Sequence, residues 1–162
     1  MGNVEIQVTK NYRFLKELEP SKTMAVLEGS TRSTKTYSIV QYLILDWCIA
    51  KPKSTVRCFR FDGVTHNDTT IADFKEIMLI LDLWDEGSWN GTDKKFKFNN
   101  GSTFAFSATS NPQKLHGLKQ DVAWFNEVME IDYDAYAQVA YRKTQLTIMD
   151  FNPSFNHHWV FT

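Results

Sequence analysis

The apolar run Met24-Ala25-Val26-Leu27 passes through Glu28 into Gly29-Ser30-Thr31-Arg32-Ser33-Thr34-Lys35-Thr36, and the helix-patterned Tyr37-Ser38-Ile39-Val40-Gln41-Tyr42-Leu43-Ile44-Leu45 follows at once. A strand, a Gly-opened loop that closes on Lys-Thr, and a helix make up the layout of a phosphate-binding P-loop. Such a loop turns backbone N–H groups and a helix N-terminus toward an anion. Lys35 then reaches the β- and γ-phosphates, and the Thr36 hydroxyl ligates Mg²⁺. Gly29, Ser30, Thr31, Arg32, Ser33 and Thr34 form the rest of the cradle. One position departs from GxxxxGK[ST]: Thr34 stands where Gly is usual, so this residue either takes a restricted conformation or weakens the site. Read without its neighbours, the segment also fits an ordinary polar strand-to-helix loop capped by a Ser or Thr.

The remaining pattern alternates. Thr55-Val56-Arg57-Cys58-Phe59-Arg60-Phe61 reads as a strand, and Ile71 to Leu83 as an amphipathic helix with Ile71, Phe74, Ile77, Met78 and Leu81 on one face. Lys95-Phe96-Lys97-Phe98 and Ser102-Thr103-Phe104-Ala105-Phe106 alternate around Asn99-Asn100-Gly101, a hairpin signal. Val122-Ala123-Trp124-Phe125 and Gln145-Leu146-Thr147-Ile148-Met149-Asp150 are further strands, separated by a helix from Asp132 to about Lys143. An earlier helix carries Tyr12, Phe14, Leu15 and Leu18 before Pro20, and the P-loop helix runs to about Ala50. The implied fold is α/β, a three-layer α/β/α sandwich with a mainly parallel central sheet and a β-hairpin insertion. At 162 residues this is a single domain. Because the sequence stops on the strand-like stretch 157–162, a fragment of a longer chain is expected.

With 43% hydrophobic residues, 14% aromatics and a net charge of -1, the composition is that of a soluble globular protein. A near-neutral total neither requires nor excludes a nucleic-acid partner, which needs only a local basic patch. Cys48 and Cys58 lie in apolar surroundings without metal-ligand spacing and read as buried thiols. Met1 to Pro20 lacks an apolar signal core, and no apolar run approaches a membrane span, so an intracellular, reducing compartment is expected.

A phosphate loop needs a partner that handles metal and activates water, normally at the C-terminal end of another core strand. Asn126-Glu127 after Val122-Ala123-Trp124-Phe125 fits that place. In the usual Asp-Glu pair the Asp holds the Mg²⁺ shell and the Glu polarises the attacking water. Asn126 accepts a hydrogen bond from a metal-bound water but supplies no charge. Glu127 is the general base. Taken alone, Asn-Glu here also reads as a helix cap with a first-turn acid. Asn152, at the end of the following strand, is placed to sense the γ-phosphate, although Asn-Pro is also a common turn opener.

Glu28 through Ser38, Asn100-Gly101-Ser102, Lys114-Leu115-His116-Gly117, and Asn152-Pro153 through His158-Trp159 resemble, in this order, the ATPase domain of phage terminase large subunits, over residues 11 to 162. The resemblance implies a P-loop NTPase that binds ATP with Mg²⁺. Lys35 and Thr36 would be the phosphate and metal ligands, Glu127 the catalytic carboxylate, Asn152 the coupling residue and Arg32 a loop arginine near the γ-phosphate. Tyr12 or Phe14 would stack on adenine, with core packing the simpler reading for at least one of the two. His116 stands where many relatives place an arginine, leaving Lys114, Lys119 and Arg142 as unranked substitutes. Neither Thr34 nor Asn126 implies a dead enzyme.

By the same resemblance the chain would act in a homo-oligomeric ring on double-stranded viral DNA. A portal protein and a small terminase subunit would be its partners, and the host cytoplasm its location. The family's nuclease domain has no counterpart here; Asp62, Asp68 and Asp73 read as solvated acids. The competing readings are a helicase-like ATPase and a non-catalytic nucleotide-binding module.

Overall fold

The computed structural model describes residues 9–30, 34–142, 144–153 and 158–161. Seven strands form one sheet in the order β1-β7-β6-β2-β5-β4-β3. They are β1 (Met24–Glu28), β2 (Thr55–Arg60), β3 (Gly87–Asn90), β4 (Lys95–Phe98), β5 (Thr103–Ala108), β6 (Val122–Phe125) and β7 (Leu146–Phe151). β1, β7, β6, β2 and β5 run parallel, and β4 and β3 add an antiparallel extension. The predicted hairpin is β4–β5, and its second strand, β5, is also a parallel member of the main sheet. β3 is short and polar and has no legible strand pattern.

Both faces of the sheet are covered, as strand alternation dictates. On β6, Val122 and Trp124 enter the larger core with Val56, Cys58, Phe104 and Ile148. Ala123 and Phe125 enter the other, with Phe59, Met149 and Phe151. The larger core is roofed by α1 (Lys10–Lys16), α2 (Lys35–Tyr42) and α4 (Thr70–Ile80), whose Phe74 packs on Phe96, Phe104 and Phe106. α2 continues as a π-helical stretch, Leu43–Ile49, so the predicted helix does reach Ala50. A six-residue α3 (Gly63–Asp68) precedes α4, and α5 (Tyr133–Ala140) covers the second core. Cys48 and Cys58 are buried free thiols.

The last segment differs from its strand-like reading. Residues 159–161 form a 3₁₀ turn, because Trp159 packs against Tyr133 and Tyr136 and donates from Nε1 to the Ile131 carbonyl at 2.9 Å. No helix among the described residues is long and apolar enough to cross a membrane.

Candidate active site

In parallel sheets, ligands bind beyond the carboxyl ends of the strands. Four adjacent strands deliver the site. β1 ends in the Gly29 loop, β7 in Asp150 and Asn152, β6 in Asn126 and Glu127, and β2 in Arg60. Their ends border a cleft of about 460 Å³ lined by Lys35, Thr36, Arg60, Asp73, Glu127 and Asn152, among others. A larger cavity of about 640 Å³, with Lys119, Asp121 and Arg142 in its wall, lies at the opposite end of the sheet, where β2 and β6 begin. Its position rules it out as the phosphate site. It also keeps Lys119 and Arg142 away from this chain's own cleft.

Lys35, at the first position of α2, is buried at 6% exposure. Its Nζ donates to the carbonyls of Gly29 (2.5 Å) and Ser30 (3.2 Å) and to Asn152 Oδ1 (2.8 Å). Thr34 resolves the missing glycine by adopting the left-handed conformation itself (φ 57°, ψ 19°). That geometry costs an ordinary residue about 1–2 kcal/mol. Arg32, Thr31 and Ser33 lie outside the described residues.

Glu127 follows β6 in a second left-handed conformation (φ 52°, ψ 56°), which turns its side chain out of the strand and onto the cleft. Burial first, and the charge of Asp150 second, push its carboxyl above the usual range, while Arg60 and Lys35 pull the other way. The direction suits a base that must take a proton near neutral pH.

Asn126 departs from its expected part. Its oxygen, assigned above to a metal-bound water, accepts instead from Arg60 Nη1 at 2.5 Å. Its Nδ2 donates to both oxygens of Asp150, at 3.1 and 3.0 Å, and faces Thr36 Oγ1 at 3.5 Å. Tyr12 also departs. Its ring is 5% exposed, and its hydroxyl donates to Asp46 at 2.8 Å, so it is part of the core and presents no open face for adenine. Phe14 is the exposed aromatic of that helix, at 47%. Of the acids read as solvated, Asp62 caps α3. Asp68 and Asp73 border the cleft, where burial raises the Asp73 carboxyl.

Sequence reasoning missed two residues. Arg60 binds both Thr69 Oγ1 (3.0 Å) and Asn126. Asp150 is fully buried, and accepts from Trp124 Nε1 (2.6 Å), Asn126 and the Glu127 backbone N–H (3.3 Å). Burial pushes its pKa up, and these donors counter it.

The sheet order, with β1 leading into α2 beside β7, is that of the P-loop NTPase fold. More narrowly, the phage terminase large subunit profile matches residues 21–162, and the chain belongs to that family. The PBSX phage terminase large subunit of Bacillus subtilis (strain 168) is 28% identical over 119 residues, which are 73% of this chain and 27% of that protein. Among solved structures, the large terminase of a thermophilic bacteriophage in complex with ATP-γ-S superposes with a TM-score of 0.70 at 14% identity, covering 94% of this chain and 40% of that one. The ATPase domain of the Thermus phage P74-26 large terminase gives 0.67 at 11% identity, covering 93% of this chain and 67% of that domain. The chain thus spans about a quarter of the length of the curated relative it matches.

Proposed function

We propose that this chain is the ATP-hydrolysing motor domain of a phage terminase large subunit, driving double-stranded viral DNA into a procapsid. The observation that carries the reading is the meeting of Lys35, Thr36, Glu127 and Asn152 around one cleft, from two strand ends and a helix start that are distant in sequence. Phosphoryl transfer needs little covalent chemistry from the protein; it needs positioned charge and an oriented water. Lys35 supplies the cation at the β- and γ-phosphates. Glu127 orients the attacking water and accepts its proton. Asn152, bonded to Lys35, reports the γ-phosphate to the segment that follows.

Among the described residues no group of three or more His, Cys, Asp or Glu is arranged to hold a metal ion. This fits Mg²⁺, which usually arrives with substrate phosphates and takes only one or two protein ligands. Thr36 would hold it, and the ion would neutralise charge on the phosphate oxygens. The thermophilic-phage terminase complex with ATP-γ-S supports a nucleotide in this fold.

The working unit is a homo-oligomeric ring in the host cytoplasm, docked on a portal protein and served by a small terminase subunit. Residues 1–162 are one ATPase domain of a longer protein whose nuclease lies elsewhere. Phosphate release with and without double-stranded DNA tests the reading. Mg²⁺-dependent release that Glu127→Gln abolishes supports it. Nucleotide binding without turnover would make the chain a non-catalytic module.

A further inference from the structure

Asn126 is 1% exposed, and its two amide ends are told apart by partners that cannot exchange roles. A guanidinium only donates, so the atom 2.5 Å from Arg60 Nη1 is the oxygen. The Asp150 carboxylate accepts, so Nδ2 faces it at 3.1 and 3.0 Å. That same Nδ2 is the end directed at Thr36 Oγ1, 3.5 Å away. An amide N–H end neither ligates nor attracts a cation. Position 126 therefore brings no ligand and no charge of its own to the Thr36 hydroxyl.

One strand over, the charge is present. Asp150 is fully buried and surrounded by donors, namely the Trp124 indole, the Asn126 amide and the Glu127 backbone N–H, which is the pattern of an ionised acid. Holding a carboxylate in such a place is expensive, and a neutral residue would pack there with less penalty. The array runs from Arg60 through the Asn126 amide to Asp150, from cation to anion, across the ends of β2, β6 and β7.

We propose that Asp150 is the acid of the divalent-cation side of this site, acting as a positioning residue through Asn126. The negative charge that P-loop NTPases carry on the Walker-B Asp is kept here on β7. Asn126, its orientation locked by Arg60, couples that charge to Thr36. This rests on the nucleotide-site reading above and extends it to two residues, Asp150 and Arg60. On this reading Asn126→Asp sets a second carboxylate against Asp150 in a dry site.

The test exchanges the pair. Mn²⁺ affinity is measured by electron paramagnetic resonance on the chain with ATP-γ-S bound, and nucleotide binding is measured separately in EDTA. Asp150→Asn should weaken Mn²⁺ by about tenfold or more, the range typical for residues that orient metal ligands. The exchange variant Asn126→Asp/Asp150→Asn, with one carboxylate and one amide again facing each other, should return to within about threefold of the parent. Asn126→Asp alone should lower the urea midpoint, because two carboxylates then face each other away from water. Parental Mn²⁺ affinity in Asp150→Asn overturns the proposal. So does an exchange variant that is no more stable and binds Mn²⁺ no better than the single variants. If Asp150→Asn does not fold, the exchange variant decides alone. A parent chain that binds no ATP-γ-S would sink the nucleotide-site reading instead, whereas intact nucleotide and Mn²⁺ binding unaffected by the exchange would sink only this inference.

Discussion

Lys35 and Asn152, 117 positions apart, meet in a 2.8 Å hydrogen bond in which the P-loop ammonium donates to the amide oxygen at the end of β7. The contact joins the first turn of α2 to the strand that leads out of the site. A triphosphate presents stronger acceptors to the same ammonium, so nucleotide arrival competes with Asn152 and with the carbonyls of Gly29 and Ser30.

Lys35→Ala is therefore expected to remove the fixed cation and reduce triphosphate affinity by at least about tenfold, the effect of losing a charge-assisted bond worth about 1.5–3 kcal/mol. Asn152→Asp should also weaken binding, since a carboxylate would hold Lys35 in an ion pair and repel the phosphates. Titration with a fluorescent ATP analogue measures both. Parental affinity in Lys35→Ala would remove the P-loop assignment.

Glu127→Gln should bind ATP as the parent does and fail to turn it over, because the amide keeps the shape and loses the basicity. In the parent, burial holds the Glu127 carboxyl above its ordinary value of 4.5. Turnover should then fall as pH drops through that raised value, with an acid limb above the range of an exposed glutamate. A pH–rate profile from pH 5 to 8 checks the position of the limb.

Glu127 and Asn152 were legible because each follows an apolar strand, and Lys35 because it closes the loop that such a strand enters; the ends of parallel strands are where such folds place their chemistry. Arg60 and Asp150 were not. Arg60 closes Thr55–Arg60 as an ordinary polar strand end, and Asp150 looks like the polar stop of an apolar strand. Their connection depends on β6 lying between β7 and β2, a fact of strand order that no local pattern carries. The misreading of Asn126 has the same origin, since its partners come from strands on either side. Tyr12 was ambiguous for a different reason. Helical spacing placed it on a face, and only the packing of α1 on α2, with Asp46 beneath it, decided that this face was the core.

His66 supplies an acid-stability prediction. It is 1% exposed, with Nε2 against the Ser107 carbonyl at 2.8 Å and Nδ1 against Thr70 Oγ1 at 2.6 Å, a pairing that suits the neutral ring. Burial lowers its pKa from 6.5 to about 4. The unfolded chain takes the proton first, so this stability is full above about pH 6.5 and is lost as pH falls toward 4. Between pH 7.5 and pH 5 the loss should be about 2 kcal/mol. His66→Gln, which does not titrate, should be less stable than the parent at pH 7.5 and should close the gap at pH 5. Urea melts at the two pH values measure it, and a constant gap would show that the ring does not titrate on unfolding.

Thr34→Gly should leave the protein as stable or stabilise it by up to about 1 kcal/mol. Gly relieves a left-handed β-branched residue worth about 1–2 kcal/mol while adding about 0.5–1 kcal/mol of unfolded-chain entropy. The Thr34 side chain does not cap α2, so no cap is lost. Thr34→Val, which keeps the branching and the strain, should not stabilise. Thermal melts of the two variants separate backbone strain from any effect of the hydroxyl.

Arg60 and Arg142 are both engaged away from the γ-phosphate. Arg60 borders the cleft, but its Nη1 is engaged by Thr69 and Asn126, and its place at the end of β2 makes it a brace for β6. Arg142 is held by the carbonyls of Gln138 and Leu118 at the other end of the sheet. An arginine delivered by a neighbour is worth about 10³–10⁵ in rate, so a chain alone should turn over slowly and speed up with concentration. Mixing decides between neighbour and self. Arg32→Ala retains Glu127, and Glu127→Gln retains Arg32; each should be nearly inactive alone. If Arg32 serves the adjacent subunit, the mixture regains turnover at every junction where an intact Glu127 meets an intact Arg32. If Arg32 serves its own cleft, neither chain holds a complete site, and the mixture stays as inactive as its parts.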